Sequence, residues 1–139
     1  MTAFQKAGEK IVTNTGAKSG APPILIVDDD EDSRDLLCGF LREKNFCVVS
    51  AVNGREALDY LRSGNPLPSL ILLDLNMPVM DGFAFRKEQL ASNDGFANVP
   101  VIVMSALPPT ESTGMRVKDV LTKPISLPLL MAAIRRTGT

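Results

Sequence analysis

The sequence holds only two cysteines and almost no net charge, with 15 Lys and Arg against 16 Asp and Glu for a formal net charge of -1. It also has no long apolar run. Each shortage excludes something. Cys38 and Cys47 stand in no CxxC or metal-ligand spacing, so they read as unbridged small hydrophobes in a reducing cytoplasm. Near-neutrality removes any global attraction to nucleic acid or to an anionic membrane, so charge must be read locally. No stretch approaches the roughly 20 apolar residues of a membrane helix, and the first twenty positions lack the hydrophobic core of a secretory signal. A cytoplasmic protein without direct nucleic-acid or membrane contact is therefore expected. The length of 139 residues suits one domain, large enough to bury a real core.

Residues 1–22 are small and polar, with Gly16, Gly20 and Pro22 near the end and Lys6, Lys10 and Lys18 outnumbering Glu9, which predicts a mobile tail. The domain is expected over 23–139. Apolar runs at 24–28, 46–52, 69–74, 100–105 and 119–123 alternate with amphipathic stretches, a pattern that argues for a parallel sheet covered on both faces. Leu36, Leu37, Phe40 and Leu41 form one helical stripe, and Leu127, Leu130, Met131 and Ile134 another. Asn53-Gly54 before Ala57, Leu58 and Leu61 predicts a helix at 54–63. The segment 82–92 is less regular, with Phe83, Phe85 and Leu90 as its core candidates. Pro108-Pro109 and Gly114 leave at most two helical turns at 110–116, so a fourth helix is short or missing.

The polar residues of interest sit where apolar runs stop. Asp74 follows Leu70-Ile71-Leu72-Leu73, and Asp28-Asp29-Asp30 follows Ile24-Leu25-Ile26-Val27. Ligands of doubly wound parallel sheets bind outside the carboxyl ends of the strands, where Ser105 and Lys123 also fall. Crowded carboxylates repel and raise one another's pKa unless a cation lies between them, which points to a metal-assisted acidic site. Carboxylates, a hydroxyl and an ammonium on one rim suit phosphoryl transfer, with an aspartate as possible nucleophile. Taken singly, each has an ordinary explanation. Asp28, Asp30 or Asp32 could cap the next helix, with capping the expected role of Asp30 and Asp32. Asp74 could be a turn residue, Ser105 a satisfied strand-end hydroxyl, and Lys123 a solvated charge. Arg34, Arg42 and Lys44 read as a solvated face, and Met77, Met80, Met104 and Met131 as packing.

Four segments in order carry a resemblance: Ile24-Leu25-Ile26-Val27-Asp28-Asp29-Asp30-Glu31, Leu72-Leu73-Asp74-Leu75-Asn76-Met77-Pro78-Val79-Met80-Asp81-Gly82, Val103-Met104-Ser105-Ala106 and Leu121-Thr122-Lys123-Pro124. Over about 23–136 the chain resembles the CheY-like receiver domains of two-component response regulators. The resemblance implies a doubly wound, flavodoxin-like sheet of five parallel strands in the order 2-1-3-4-5 with helices on both faces. It implies Asp74 as phosphoacceptor and Mg2+ as cofactor. The metal would be held by Asp29 and Asp74, by Asp28 through water, and by the Asn76 backbone carbonyl. Ser105 would bond the phosphoryl group beside small Ala106, Lys123 would pair with its oxygens, and Lys123-Pro124 would be cis. A histidine kinase or histidine phosphotransfer protein would supply the phosphoryl group, with an unidentified protein as downstream target.

Departures from the family pattern concern readout. Ser105 and Lys123 are 18 positions apart, short of the family by roughly one helical turn, and Val120 stands where an aromatic switch residue is common. An altered response in 106–118 is expected. Leu107, being apolar, points to slow hydrolysis. With the last helical stripe ending near Thr139, a stand-alone receiver acting by docking is expected, an enzyme only toward its own phosphorylation and dephosphorylation. The alternative is a receiver-like scaffold acting without phosphorylation. A phosphatase like the haloacid dehalogenase-like enzymes ranks last, because it needs an acid where Asn76 stands.

Overall fold

The computed structural model describes residues 12–13, 21–77, 79–92, 95–106 and 117–139. Its strands are β1 (Val12–Thr13), β2 (Ile24–Val27), β3 (Val48–Ala51), β4 (Leu70–Asp74), β5 (Val101–Ser105) and β6 (Asp119–Thr122). They form one sheet in the order β1-β3-β2-β4-β5-β6. The five from β2 onward are parallel, so the expected 2-1-3-4-5 doubly wound arrangement is the one observed. β1 is an addition at the edge, antiparallel to β3 with Val12 opposite Ser50 and Thr13 opposite Val49. It falls inside the expected mobile tail. Two paired residues among small polar ones are too short a run to signal a strand. Residues 1–11 and 14–20 lie outside the described residues.

The described residues hold four α-helices: α1 (Glu31–Glu43), α2 (Gly54–Arg62), α3 (Gly82–Leu90) and α4 (Leu127–Arg136). Each starts on a polar side chain that accepts a backbone N–H of the first turn. Asp30 accepts from Ser33, Asn53 from Glu56, Asp81 from Ala84 and Ser126 from Leu129. Capping satisfies amides that the helix itself leaves unpaired. Asp30 thus has the capping role expected of it, while Asp32 lies in the first turn of α1. The stretch 110–116, with its expected two turns, is outside the described residues.

Alternation along the strands divides the core between the two faces of the sheet, because successive side chains of a strand point to opposite sides. Leu25, Val27, Ile71 and Leu73 pack toward α2 and α3 with Ala57, Leu58 and Phe85. Ile24, Ile26, Leu70 and Leu72 pack toward α1 and α4 with Leu37, Leu41, Leu130 and Ile134. Central strands covered on both sides read as unbroken apolar runs, which is why they were legible.

Three expected core residues are not in the core. Leu36 is 58% exposed, Phe83 41% and Leu90 37%, whereas Leu37 and Phe85 are fully covered. Neighbours on a helix point about 100° apart, so one helix face buries Leu37 and Leu41 and turns Leu36 outward. The methionines pack as expected: Met104 is sealed, Met77 nearly so, and Met80 and Met131 lie partly buried against the two clusters. Neither cysteine forms a disulfide; Cys38 is buried and Cys47 only half-buried. Burial, the largest influence, pushes the Cys38 thiol above its ordinary range.

Candidate functional site: an acidic cluster at the carboxyl edge of the sheet

Parallel pairing brings the ends of β2, β4, β5 and β6 to one edge, with Val27 beside Leu73, Asp74 beside Met104 and Ser105 beside Thr122. Asp28, Asp29, Asp74, Ser105 and Lys123 are thereby gathered at one rim. Asp28, directly after β2, is fully buried, and Asp74, the last residue of β4, is 3% exposed. Asp29 is exposed. One carboxylate oxygen from each of the three lies within 4.8 Å of the others. Lys123 reaches into the cluster, its Nζ 3.3 Å from Asp74 Oδ1 and 3.8 Å from Asp28 Oδ2.

Local hydrogen bonds fix these groups. Asp28 Oδ1 accepts the Asp30 N–H at 3.0 Å, and Asp74 Oδ1 accepts the Asn76 N–H at 3.2 Å. The Lys123 N–H donates to the Ser105 carbonyl at 2.8 Å, which ties the lysine backbone to the end of β5. Lys123-Pro124 is cis, as expected. Ser105 is buried, Ala106 and Asn76 are exposed, and Val120 packs partly buried against the α2–α3 side of the core. Leu107 lies outside the described residues.

The electrostatics of the rim are unbalanced. Burial pushes the Asp74 carboxyl from 3.8 up to about 6; Lys123 draws it down, and the Asp28 charge pushes it up further. Asp28 Oδ2 is buried with no hydrogen-bond partner. A buried carboxylate oxygen without a donor is costly. Three carboxylates facing one ammonium would be balanced by a divalent cation, and an all-oxygen donor set suits a hard ion such as Mg2+. The residues therefore fit a metal of that class.

Two further residues belong to this neighbourhood. Arg34, expected to be a solvated surface charge, donates from Nη1 to the Asp28 carbonyl at 2.9 Å and braces the turn that carries the acids. Gly82 sits so close to β4 that a Cβ there would lie 2.6 Å from the Asp74 carbonyl oxygen. Sequence offered only the Asp81-Gly82 pair as a turn signal.

Residues 24–135 match the family model of the response regulator receiver domain. The chain belongs to this family. Response regulator RR06 of Streptococcus pneumoniae is 39% identical to the receiver over 118 residues, covering 81% of the chain and 51% of RR06. The chain thus spans about half the length of that relative. A response regulator receiver protein from Pseudomonas putida superposes with a TM-score of 0.76 at 27% identity, over 86% of this chain and 99% of that one. Response regulator TrrA of Thermotoga maritima, solved in complex with Mg2+-BeF, matches with a TM-score of 0.72 at 26% identity, over 84% of this chain and 99% of that one. No helix among the described residues is long and apolar enough to cross a membrane.

Proposed function

We propose that the receiver accepts a phosphoryl group on Asp74 from a phosphohistidine, with Mg2+ bound by Asp28, Asp29, Asp74 and the Asn76 carbonyl, and signals by docking to a separate protein. The observation that carries this reading is the position of Lys123, 3.3 Å from one buried carboxylate and 3.8 Å from another at the sheet edge. Held by these oxygens, Mg2+ would supply positive charge that offsets the carboxylates and the incoming phosphoryl group.

The residues of the chain do the rest. An Asp74 carboxylate oxygen forms a bond to phosphorus as the phosphorus–nitrogen bond of the donor breaks, and the donor imidazole keeps the bonding pair. Lys123 leaves its carboxylate contact to pair with the transferred phosphoryl oxygens, and the Ser105 hydroxyl donates to another of them. Positioning and charge neutralisation carry most of the catalysis in such transfers. The sequence contains no histidine, so the donor histidine belongs to a chain region or partner outside these residues, a kinase or a phosphotransfer protein.

The scaffold reading, in which the fold only recognises partners, gives no reason for Lys123 to stand between two buried acids. Incubation with Mg2+ and acetyl phosphate tests the two against each other. Wild type is expected to gain the mass of one phosphoryl group and Asp74→Asn to gain none. Unmodified wild type would favour the scaffold, and rapid turnover of small phosphate esters would favour a phosphatase.

A further inference from the structure

Three hydrogen bonds donated by backbone N–H groups hold Leu75, Asn76 and Met80, between the end of β4 and the start of α3. The Asn76 N–H donates to Asp74 Oδ1 at 3.2 Å, and the Gly82 N–H donates to the Leu75 carbonyl at 3.0 Å. The third comes from α2, whose first residue, Gly54, donates its N–H to the Met80 carbonyl at 3.0 Å.

Both glycines sit where a side chain has no room. A Cβ on Gly82 would lie 2.6 Å from the Asp74 carbonyl oxygen and 2.8 Å from Leu75 Cα, and one on Gly54 would lie 2.9 Å from the Met80 carbonyl oxygen and 2.8 Å from its Cγ. Three of these four obstacles are backbone atoms, which cannot rotate aside as the end of a side chain can. Between the two close approaches, Val79 adopts φ 68°. The left-handed region is costly for a β-branched residue and persists only where surrounding structure enforces it. Val79 is itself 78% exposed, so burial of its side chain does not do the enforcing.

We propose that Gly54 and Gly82 are positioning residues of the acidic site: by admitting no side chain they clamp Leu75 and Met80 from two helices and so fix the Asn76 backbone that would face the metal. The metal's identity rests on the function proposed above; the clamp does not. One consequence is that α2, which contributes no group to the acidic cluster, governs the site's shape through Met80.

Gly54→Ala tests this, compared with Leu58→Val, which loosens the core under α2 without adding a Cβ against the loop. The readouts are backbone amide resonances of the metal-free protein and Mg2+ affinity by calorimetry. Gly54→Ala is expected to move the resonances of Asn76, Met77 and Met80 and to weaken Mg2+ binding by roughly tenfold or more, whereas Leu58→Val binds within about twofold of wild type. Should Gly54→Ala not fold, Val79→Gly serves: glycine takes φ 68° without strain and leaves the clamp untouched, so the loop stays in place and Mg2+ affinity stays within about twofold of wild type. Gly54→Ala with unmoved Asn76 and Met80 resonances and wild-type affinity overturns the clamp, as does, when Gly54→Ala does not fold, a folded Val79→Gly that loses Mg2+ affinity roughly tenfold or more. Wild type that binds no Mg2+ would overturn the proposed function instead, and the resonances alone would then decide the clamp.

Discussion

Asp74→Asn is expected to stabilise the metal-free protein at pH 7.5 by about 1–3 kcal/mol and near pH 4 by no more than about 0.5 kcal/mol. Burial holds the Asp74 carboxyl at about 6 in the fold against an ordinary 3.8. A carboxyl raised on folding contributes no penalty below its unfolded pKa, where it is protonated in both states. The penalty grows as pH rises through the interval from 3.8 to about 6, because the folded state must then bury a charge that the unfolded state carries in water. Asparagine fills the same space without that charge. Mg2+ should reverse the ranking, stabilising wild type by mass action and the variant much less. Urea denaturation from pH 4 to 8, with EDTA and then with Mg2+, measures both parts. A gain that is the same at pH 4 and pH 7.5 would contradict a buried, charge-strained Asp74.

Lys123→Ala is expected to slow phosphorylation of Asp74 by about 10²–10³-fold at saturating Mg2+, the usual cost of removing one preorganised group aimed at developing charge. Metal affinity should be retained or rise. The ammonium lies 3.3 Å from Asp74 Oδ1 and 3.8 Å from Asp28 Oδ2, where it competes with a bound cation for the same carboxylates. Truncation also removes the influence that draws the Asp74 pKa down, so the metal-free variant should titrate at higher pH than wild type. Single-turnover phosphorylation and Mg2+ calorimetry on the same preparation separate the two effects. A large loss of Mg2+ affinity would contradict the role assigned to Lys123.

The central strands were readable because they are buried on both sides: Ile24–Val27 and Leu70–Asp74 are solid apolar runs that stop at acids. Parallel pairing then brings those acids to one edge, so strand ends alone group Asp28, Asp29, Asp74, Ser105 and Lys123. Periodicity gives the spacing of a helical stripe but not its rotation about the helix axis, and so it places Leu36 in the core alongside Leu37. In α3, apolar and charged residues do not follow the helical repeat, and only packing distinguishes sealed Phe85 from half-exposed Phe83. The glycine clamp was invisible for a different reason. Asn53-Gly54 reads as an ordinary helix start and Asp81-Gly82 as an ordinary turn, and their crowding against Met80 and Leu75 exists only once three elements have met. Arg34 likewise looks like a solvated charge in the sequence because its acceptor is a backbone carbonyl, to which no sequence pattern points.

The central claim is that Asp74 itself carries the phosphoryl group. Phosphorylating the protein with acetyl phosphate and Mg2+, reducing the acyl phosphate with borohydride and sequencing the peptides by mass spectrometry tests it most directly. Homoserine at position 74, absent when EDTA replaces Mg2+, is the predicted result. Homoserine at Asp28 or Asp29, or none at any aspartate of a folded, Mg2+-loaded protein, would contradict it.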